Sequence, residues 1–165
     1  RAKIPKGSFY RYFSGKEELV ETLFAPLVSE VRATLRETEE ALRAAPSASA
    51  LNPIYGRLGS EISRILAPNL GLLRLYLQEN RGPDVGARRP IIRLARDIEE
   101  SACQLTQIAR EHGLVRADYD LKVGALTTLG AIERLLFAYV SGEAMGDPAA
   151  VSVDLIRVIL DGIRA

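Results

Sequence analysis

The stretch Arg1–Leu19, RAKIPKGSFYRYFSGKEEL, has the most distinctive pattern in the chain. From Pro5 to Phe13 it predicts a short helix in which Phe9 and Phe13, four residues apart, share an inner face. The outer face and its flanks then carry cationic, hydroxyl and aromatic side chains: Lys6, Ser8, Tyr10, Arg11 and Tyr12. Such groups beside a helix N-terminus suit DNA phosphates and base edges, and a solvated basic surface with exposed tyrosines would have the same composition.

Positive charge is concentrated in this stretch, whereas the net charge of the 165 residues is only +1. Any affinity for DNA must therefore come from a local patch. The patch consists of Arg1, Lys3, Lys6, Arg11 and Lys16, and Glu17 is the first acidic residue. Because Lys16 begins the next predicted helix, a DNA phosphate there would interact favourably with both the ammonium group and the helix dipole.

Composition is that of a single globular domain, with 47% hydrophobic and 26% charged residues. Charged residues interrupt each apolar run before about 20 residues, the length needed to cross a bilayer, so we expect no contact with a membrane. The single cysteine, Cys103, excludes an internal disulfide and is typical of a reducing compartment. Together these features predict a cytoplasmic protein.

Apolar residues recur every three or four positions, and no stretch alternates with period two, so we predict an all-α fold. The predicted helices are an amphipathic helix from after Gly15 to about Leu42, then Asn52–Leu66, Leu70–Glu79, Ile91 to about His112, about Tyr119–Val140, and a last helix that starts at Asp147 and Pro148. Pro26 lies inside the first of these helices and predicts a kink.

The last two helices predict a homodimer. The stretch Leu121–Val140 is apolar around much of its circumference and rich in small residues, so it needs cover on more than one face. A second copy would supply that cover through a four-helix bundle, and a central core helix in a monomer is the alternative. The residues expected at the dimer interface are Ala125, Thr128, Leu129, Ile132, Leu136, Leu155, Ile156 and Ile159.

The middle helices are mostly aliphatic, and Tyr55, Tyr76 and Cys103 are among their few polar or polarisable side chains. A buried pocket with few polar groups is typical of sites for small apolar molecules, so these three residues are the candidates for binding a mainly apolar effector. Each of them could equally be a core residue of a filled helical body.

We predict no enzymatic activity and no metal or cofactor. His112, the only histidine, lies one residue before Gly113 at a helix end, where it complements the helix dipole. Cys103 lies among apolar residues and is most simply a small core side chain. The sequence has no Cys/His metal spacing, no phosphate-binding glycine loop and no nucleophile elbow.

The stretch Arg1–Leu19 resembles the recognition helix, and the start of the following helix, of the tetracycline-repressor (TetR) family. The residues that match the family pattern are Ala2, Lys6, Gly7, Ser8, Tyr10, Tyr12, Phe13, Lys16, Glu17, Glu18 and Leu19. Two later stretches also resemble that family: Ala109–Asp120 is similar to the turn before its penultimate helix, and Val153–Ile163 to its last helix.

This resemblance implies that residues 1–24 are the C-terminal part of a helix-turn-helix domain, with a recognition helix at about 5–13. Residues 25–165 would form an effector-binding and dimerisation domain. Lys6, Tyr10, Tyr12 and Lys16 would contact phosphates, Gly7 would lie beside them, and Ser8 and Arg11 would lie near the bases. The implied function is that of a ligand-responsive regulator, a repressor released from operator DNA by an unknown small molecule.

Two departures from the family pattern bear on this interpretation. Lys3 replaces the usual turn glycine, which costs about 1 kcal/mol if the backbone there is left-handed. The family's first two helices do not precede Arg1, so we expect a further N-terminal segment of roughly 30 to 45 residues. A dimeric helical ligand-binding or scaffold module that acts without DNA is the alternative.

Overall fold

A computed structural model describes residues 10–144 together with Val151, Asp154, Leu155 and Val158. After a helical turn at residues 10–12, this part of the chain forms five α-helices: α1 (Lys16–Arg43), α2 (Leu51–Leu66), α3 (Leu70–Glu79), α4 (Arg89–Glu111) and α5 (Leu121–Val140). Short 3-10 turns precede α2, α3 and α4 at Ala48–Ala50, Ala67–Asn69 and Gly86–Arg88. The described residues contain no strand, which confirms the all-α fold.

Three of the helix starts differ from the prediction. Helix α2 begins at Leu51 instead of Asn52 because the chain enters it from a 3-10 turn, and α4 begins at Arg89 instead of Ile91. Helix α5 begins at Leu121 instead of about Tyr119, and the side chain of Asp120 caps it by accepting a 2.9 Å hydrogen bond from the backbone N–H of Val123. Asp118, two residues earlier, is bound by Arg116. The predicted start of the last helix lies outside the described residues, and its four described positions are helical.

The core consists of two clusters, and α1 contributes to both. One cluster joins α1 to α2, α3 and α4 through Phe24, Leu27, Val31, Ile65, Tyr76, Ile91, Leu94 and Ala95. The other joins the end of α1 to α2 and α4 through Leu42, Ala45, Leu51, Leu105 and Ile108. Helix α1 continues through Pro26, and the expected kink there stays a prediction.

Helix α5 packs on α4 and α3 and is poorly covered, since only Ala125 and Ala138 are buried. It also corrects the expectation that no segment is long and apolar enough to cross a bilayer. Helix α5 is long enough to cross a bilayer, and one window of 18 residues in it is apolar enough, by length and composition alone. Only 17% of that window is buried within the protein. Among the described residues, therefore, little covers this apolar helix.

The connection between α4 and α5 is fixed by Tyr119. Its ring lies 5.2 Å from the guanidinium carbon of Arg110, which also donates a 2.8 Å hydrogen bond to the Tyr119 carbonyl oxygen. A Cβ atom at Gly124 would lie 2.3 Å from Cε2 of the same ring. Gly124 therefore lets the Tyr119 ring lie directly against the first turn of α5.

We expect Gly124→Ala to lower the free energy of unfolding by about 1–3 kcal/mol, because the new methyl group displaces the Tyr119 ring. The control is Gly59→Ala on α2, where a Cβ atom meets nothing within 4 Å. That change should raise the free energy of unfolding by about 0.5–1 kcal/mol, as removing glycine from a helix does. Urea denaturation measures both values. Equal stability of the two variants would contradict the packing of Tyr119 against α5.

Candidate nucleic-acid interface

The stretch Arg1–Leu19, called the recognition stretch below, is described from residue 10 onward, and this part presents its polar side chains to solvent. Tyr10 and Tyr12 lie on a helical turn and are 69% and 72% exposed, and Arg11 between them is also exposed. Phe13 is half-buried, as expected for a residue that faces inward. Lys16, the first residue of α1, is exposed as well. Lys6, Gly7 and Ser8 lie outside the described residues.

The turn between the short helix and α1 is held by Ser14 and Glu18. The backbone N–H and the hydroxyl of Ser14 each donate a 2.6 Å hydrogen bond to Oε2 of Glu18. The hydroxyl bond and then the backbone bond lower the pKa of Glu18, so the carboxylate stays charged. Gly15 is the N-cap and makes no side-chain hydrogen bond.

Acidic residues near Lys16 are bound to the body of the protein. Glu17 forms an ion pair with Arg89 at 3.5 Å, and Glu21 accepts a 2.8 Å hydrogen bond from Arg93. Both arginines lie on α4, so these pairs tie the first turns of α1 to the body. None of the ion pairs formed among the described residues includes Lys16. Its ammonium group is therefore positioned to meet an anion from outside the chain.

The predicted effector residues lie in separate parts of the core. Tyr55 packs against the cluster around Leu105 and donates a 3.1 Å hydrogen bond to the Leu105 carbonyl oxygen. Tyr76 belongs to the other cluster and is buried. Cys103 is a half-buried free thiol. The structure does not bring the three side chains together, and their role in effector binding stays a prediction.

None of these three residues lines either of the two open grooves described next. The first groove, of about 460 Å³, lies between α3 and the end of α5 and includes Leu70, Arg74 and Tyr139. The second groove, of about 400 Å³, lies between α1 and α4. Its lining combines buried apolar residues with arginine side chains that the sequence pattern had not set apart.

Sequence reasoning also missed a polar network around Glu133 on α5. Its carboxylate accepts hydrogen bonds from the Tyr76 hydroxyl at 2.9 Å and from the side chains of Asn80 and Arg81, each at 2.8 Å. Burial is the main cause that raises the pKa of Tyr76, so its hydroxyl keeps the proton it donates. A glutamate within an otherwise apolar helix was the available signal, because such a charge needs a partner.

The residues predicted at the dimer interface differ in how much of their side chain is exposed and so available to a partner. Ala125 is 1% exposed and lies against its own protomer, whereas Ile132 is 36% exposed. Thr128, Leu129 and Leu136 on α5 are half-buried, as is Leu155 on the last helix. The side chains of Ile156 and Ile159 lie outside the described residues.

Burial raises the pKa of Tyr55 from its ordinary 10.0 to about 12. Between these values only the unfolded chain loses the proton, so stability is complete below pH 10 and falls by about 2 kcal/mol as the pH rises to 12. The difference in phenolate absorbance between the wild type and Tyr55→Phe isolates this hydroxyl. We expect its midpoint near pH 12 in the folded protein and near pH 10 in urea. A folded midpoint near pH 10 would instead place the hydroxyl in a water-filled cavity.

Comparison with known families assigns the recognition stretch. Residues 1–23 match the family model described as "Bacterial regulatory proteins, tetR family". Searches of curated proteins and of solved structures each returned no match. The matched residues include the exposed turn at 10–12 and the first residues of α1. Residues 1–23 therefore have the pattern of tetR-type regulatory proteins, and this match supports a DNA-binding transcriptional regulator.

Proposed function

We propose that the protein is a ligand-responsive repressor that a small-molecule effector releases from its operator DNA. The observation that carries this proposal is the tetR-family match over residues 1–23, which continues directly into a helix that spans the body. In this proposal residues 1–24 complete the helix-turn-helix domain and residues 25–165 bind the effector and dimerise. Such a regulator works on chromosomal DNA in the cytoplasm.

The DNA contacts that we propose are made by side chains that the structure shows exposed to solvent. Tyr10, Tyr12 and Lys16 would contact phosphates, and Arg11 would lie near the bases. The tyrosine rings are exposed although they are largely apolar, which suits an interface. Lys6, Gly7 and Ser8 would complete this surface, with the Lys6 ammonium on a phosphate and the Ser8 hydroxyl near the bases.

We propose that two chains pair through α5 and the last helix. The described residues expose ten large hydrophobic side chains, and four of these lie on α5: Val123, Leu126, Ile132 and Tyr139. With about 3.6 residues per turn, Ile132 and Tyr139 lie on one face of α5, and Val123 and Leu126 lie on the opposite face. A second copy would cover the face of Ile132 and Tyr139 better than a bilayer does, because Glu133 and Arg134 lie in the second half of α5 and form polar contacts with their own chain. Pairing would place two recognition helices about one DNA turn apart, about 34–36 Å.

The effector would act by changing the separation of the two recognition helices. Coupling of this kind between an effector and DNA typically amounts to about 1–3 kcal/mol. Because α1 begins beside the DNA-binding turn and crosses both core clusters, it is the element that would carry the change. The identity of the effector is open to a ligand screen against the intact protein.

Lys16→Ala should lower the slope of log K against log salt concentration by about 0.9, because one phosphate contact is lost. The weakening should be similar for operator and scrambled DNA. The protein expressed from its whole coding sequence is titrated with DNA from upstream of its own gene at several salt concentrations. Arg57→Ala is the matched control, since it removes one exposed positive charge from α2. A slope for Lys16→Ala equal to that of the control would contradict the contact.

Ile132→Glu should convert the dimer to a monomer, because it places a charge within the proposed apolar interface. Val85→Glu is the control, since Val85 is 56% exposed in the loop before α4 and away from α5. Light scattering at micromolar concentration gives the mass of each variant. We expect a dimer for the wild type and for Val85→Glu. A dimer that persists in Ile132→Glu would rule out this surface as the interface.

A further inference from the structure

The groove of about 400 Å³ between α1 and α4 combines an apolar floor with a basic rim. Ala25 and Val28 form the part of the floor that reaches solvent, above the buried side chains of Phe24, Pro90 and Leu94. Three arginines, Arg32, Arg36 and Arg93, line the groove and reach solvent. The volume lies within the range of about 300–1,000 Å³ that is usual for sites of small molecules.

The rim has an excess of positive charge. Arg32 is paired with Asp97 and Arg93 with Glu21, so each of these guanidinium groups has one carboxylate partner. Arg36 forms no ion pair with any residue that the structure describes. Three guanidinium groups therefore share two carboxylates, and the groove has capacity for one further anion.

We propose that this groove binds a small amphipathic monocarboxylate. A carboxylate matches the planar guanidinium fork of Arg36 with two parallel hydrogen bonds, and the apolar part of the ligand covers the floor at Ala25 and Val28. A neutral apolar molecule leaves the rim charge unused, and a small anion without an apolar part leaves the floor uncovered. The groove is separate from the predicted effector residues Tyr55, Tyr76 and Cys103.

The position of the groove gives its occupant a route to the DNA-binding end. Its walls are α1 and α4, and the Glu21–Arg93 pair bridges them beside the groove. A carboxylate bound at Arg36 adds a second negative charge to the groove that Glu21 also lines, and so weakens the tie that Glu21 forms between α1 and the body. The effect of the bound carboxylate on DNA binding rests on the proposed function, in which a ligand releases the protein from DNA.

Calorimetric titration of the intact protein with octanoate tests the site without DNA. We expect saturable binding of octanoate, and weaker binding of both 1-octanol, which lacks the charge, and acetate, which lacks the chain. Arg36→Gln should raise the octanoate Kd about tenfold or more, because a charge-assisted bidentate contact is lost. Arg57→Gln, which removes an exposed arginine outside the groove, should leave the Kd unchanged.

A second variant tests the same site without changing its charge. Ala25→Trp fills the groove from an exposed position on α1 and should abolish octanoate binding while circular dichroism stays that of the wild type. No octanoate binding to the wild type, or binding that neither Arg36→Gln nor Ala25→Trp weakens, would overturn the proposal. A parallel titration with upstream DNA separates the two claims. If the protein binds DNA but not octanoate, only the proposed ligand site in the groove is wrong. If it binds octanoate but not DNA, only the proposed function is wrong.

Discussion

The packing of α1 against α4 is the contact on which the rest of the structure depends. Phe24 and Leu27 on α1 and Leu94 on α4 lie in one core cluster, and Leu42 and Ile108 join the same two helices in the other. Loss of a large side chain from such a core typically costs about 3–5 kcal/mol, a large part of the stability of a small domain. Since α1 also begins close after the exposed turn at residues 10–12, the same contact supports the fold and would orient the DNA-binding residues that we propose there.

The ion pairs at the start of α1 have a different role from the core. The Glu17–Arg89 and Glu21–Arg93 side chains are largely exposed, and such pairs contribute at most about 1 kcal/mol each. They can therefore be exchanged for another anion without unfolding the body. A stable apolar contact with weak polar ties at one end would allow α1 to change its angle at small cost, as the proposed coupling of a few kcal/mol between effector and DNA requires.

Much of the fold could be predicted from the sequence, because periodicity depends on which residues are apolar along one helix. Helix α3 has the predicted bounds, and the uncovered face of α5 follows from its composition. Periodicity along one helix does not predict contacts between residues that are distant in sequence. The hydrogen bonds from Tyr76 and Asn80 to Glu133, and the packing of the Tyr119 ring over Gly124, depend on how the helices meet. For the candidate site, residue chemistry and the family pattern indicated DNA, whereas the anchoring of α1 through Glu17 and Glu21 required the structure.

A footprint on the DNA upstream of the protein's own gene tests the central claim most directly. A two-fold pair of recognition helices should protect two half-sites related by symmetry, with centres about 10–10.5 base pairs apart or a multiple of that spacing. We predict such a paired footprint at physiological salt with protein made from the whole coding sequence. Uniform protection without paired half-sites, or no protection at all, would contradict the proposal that this chain is an operator-binding dimer.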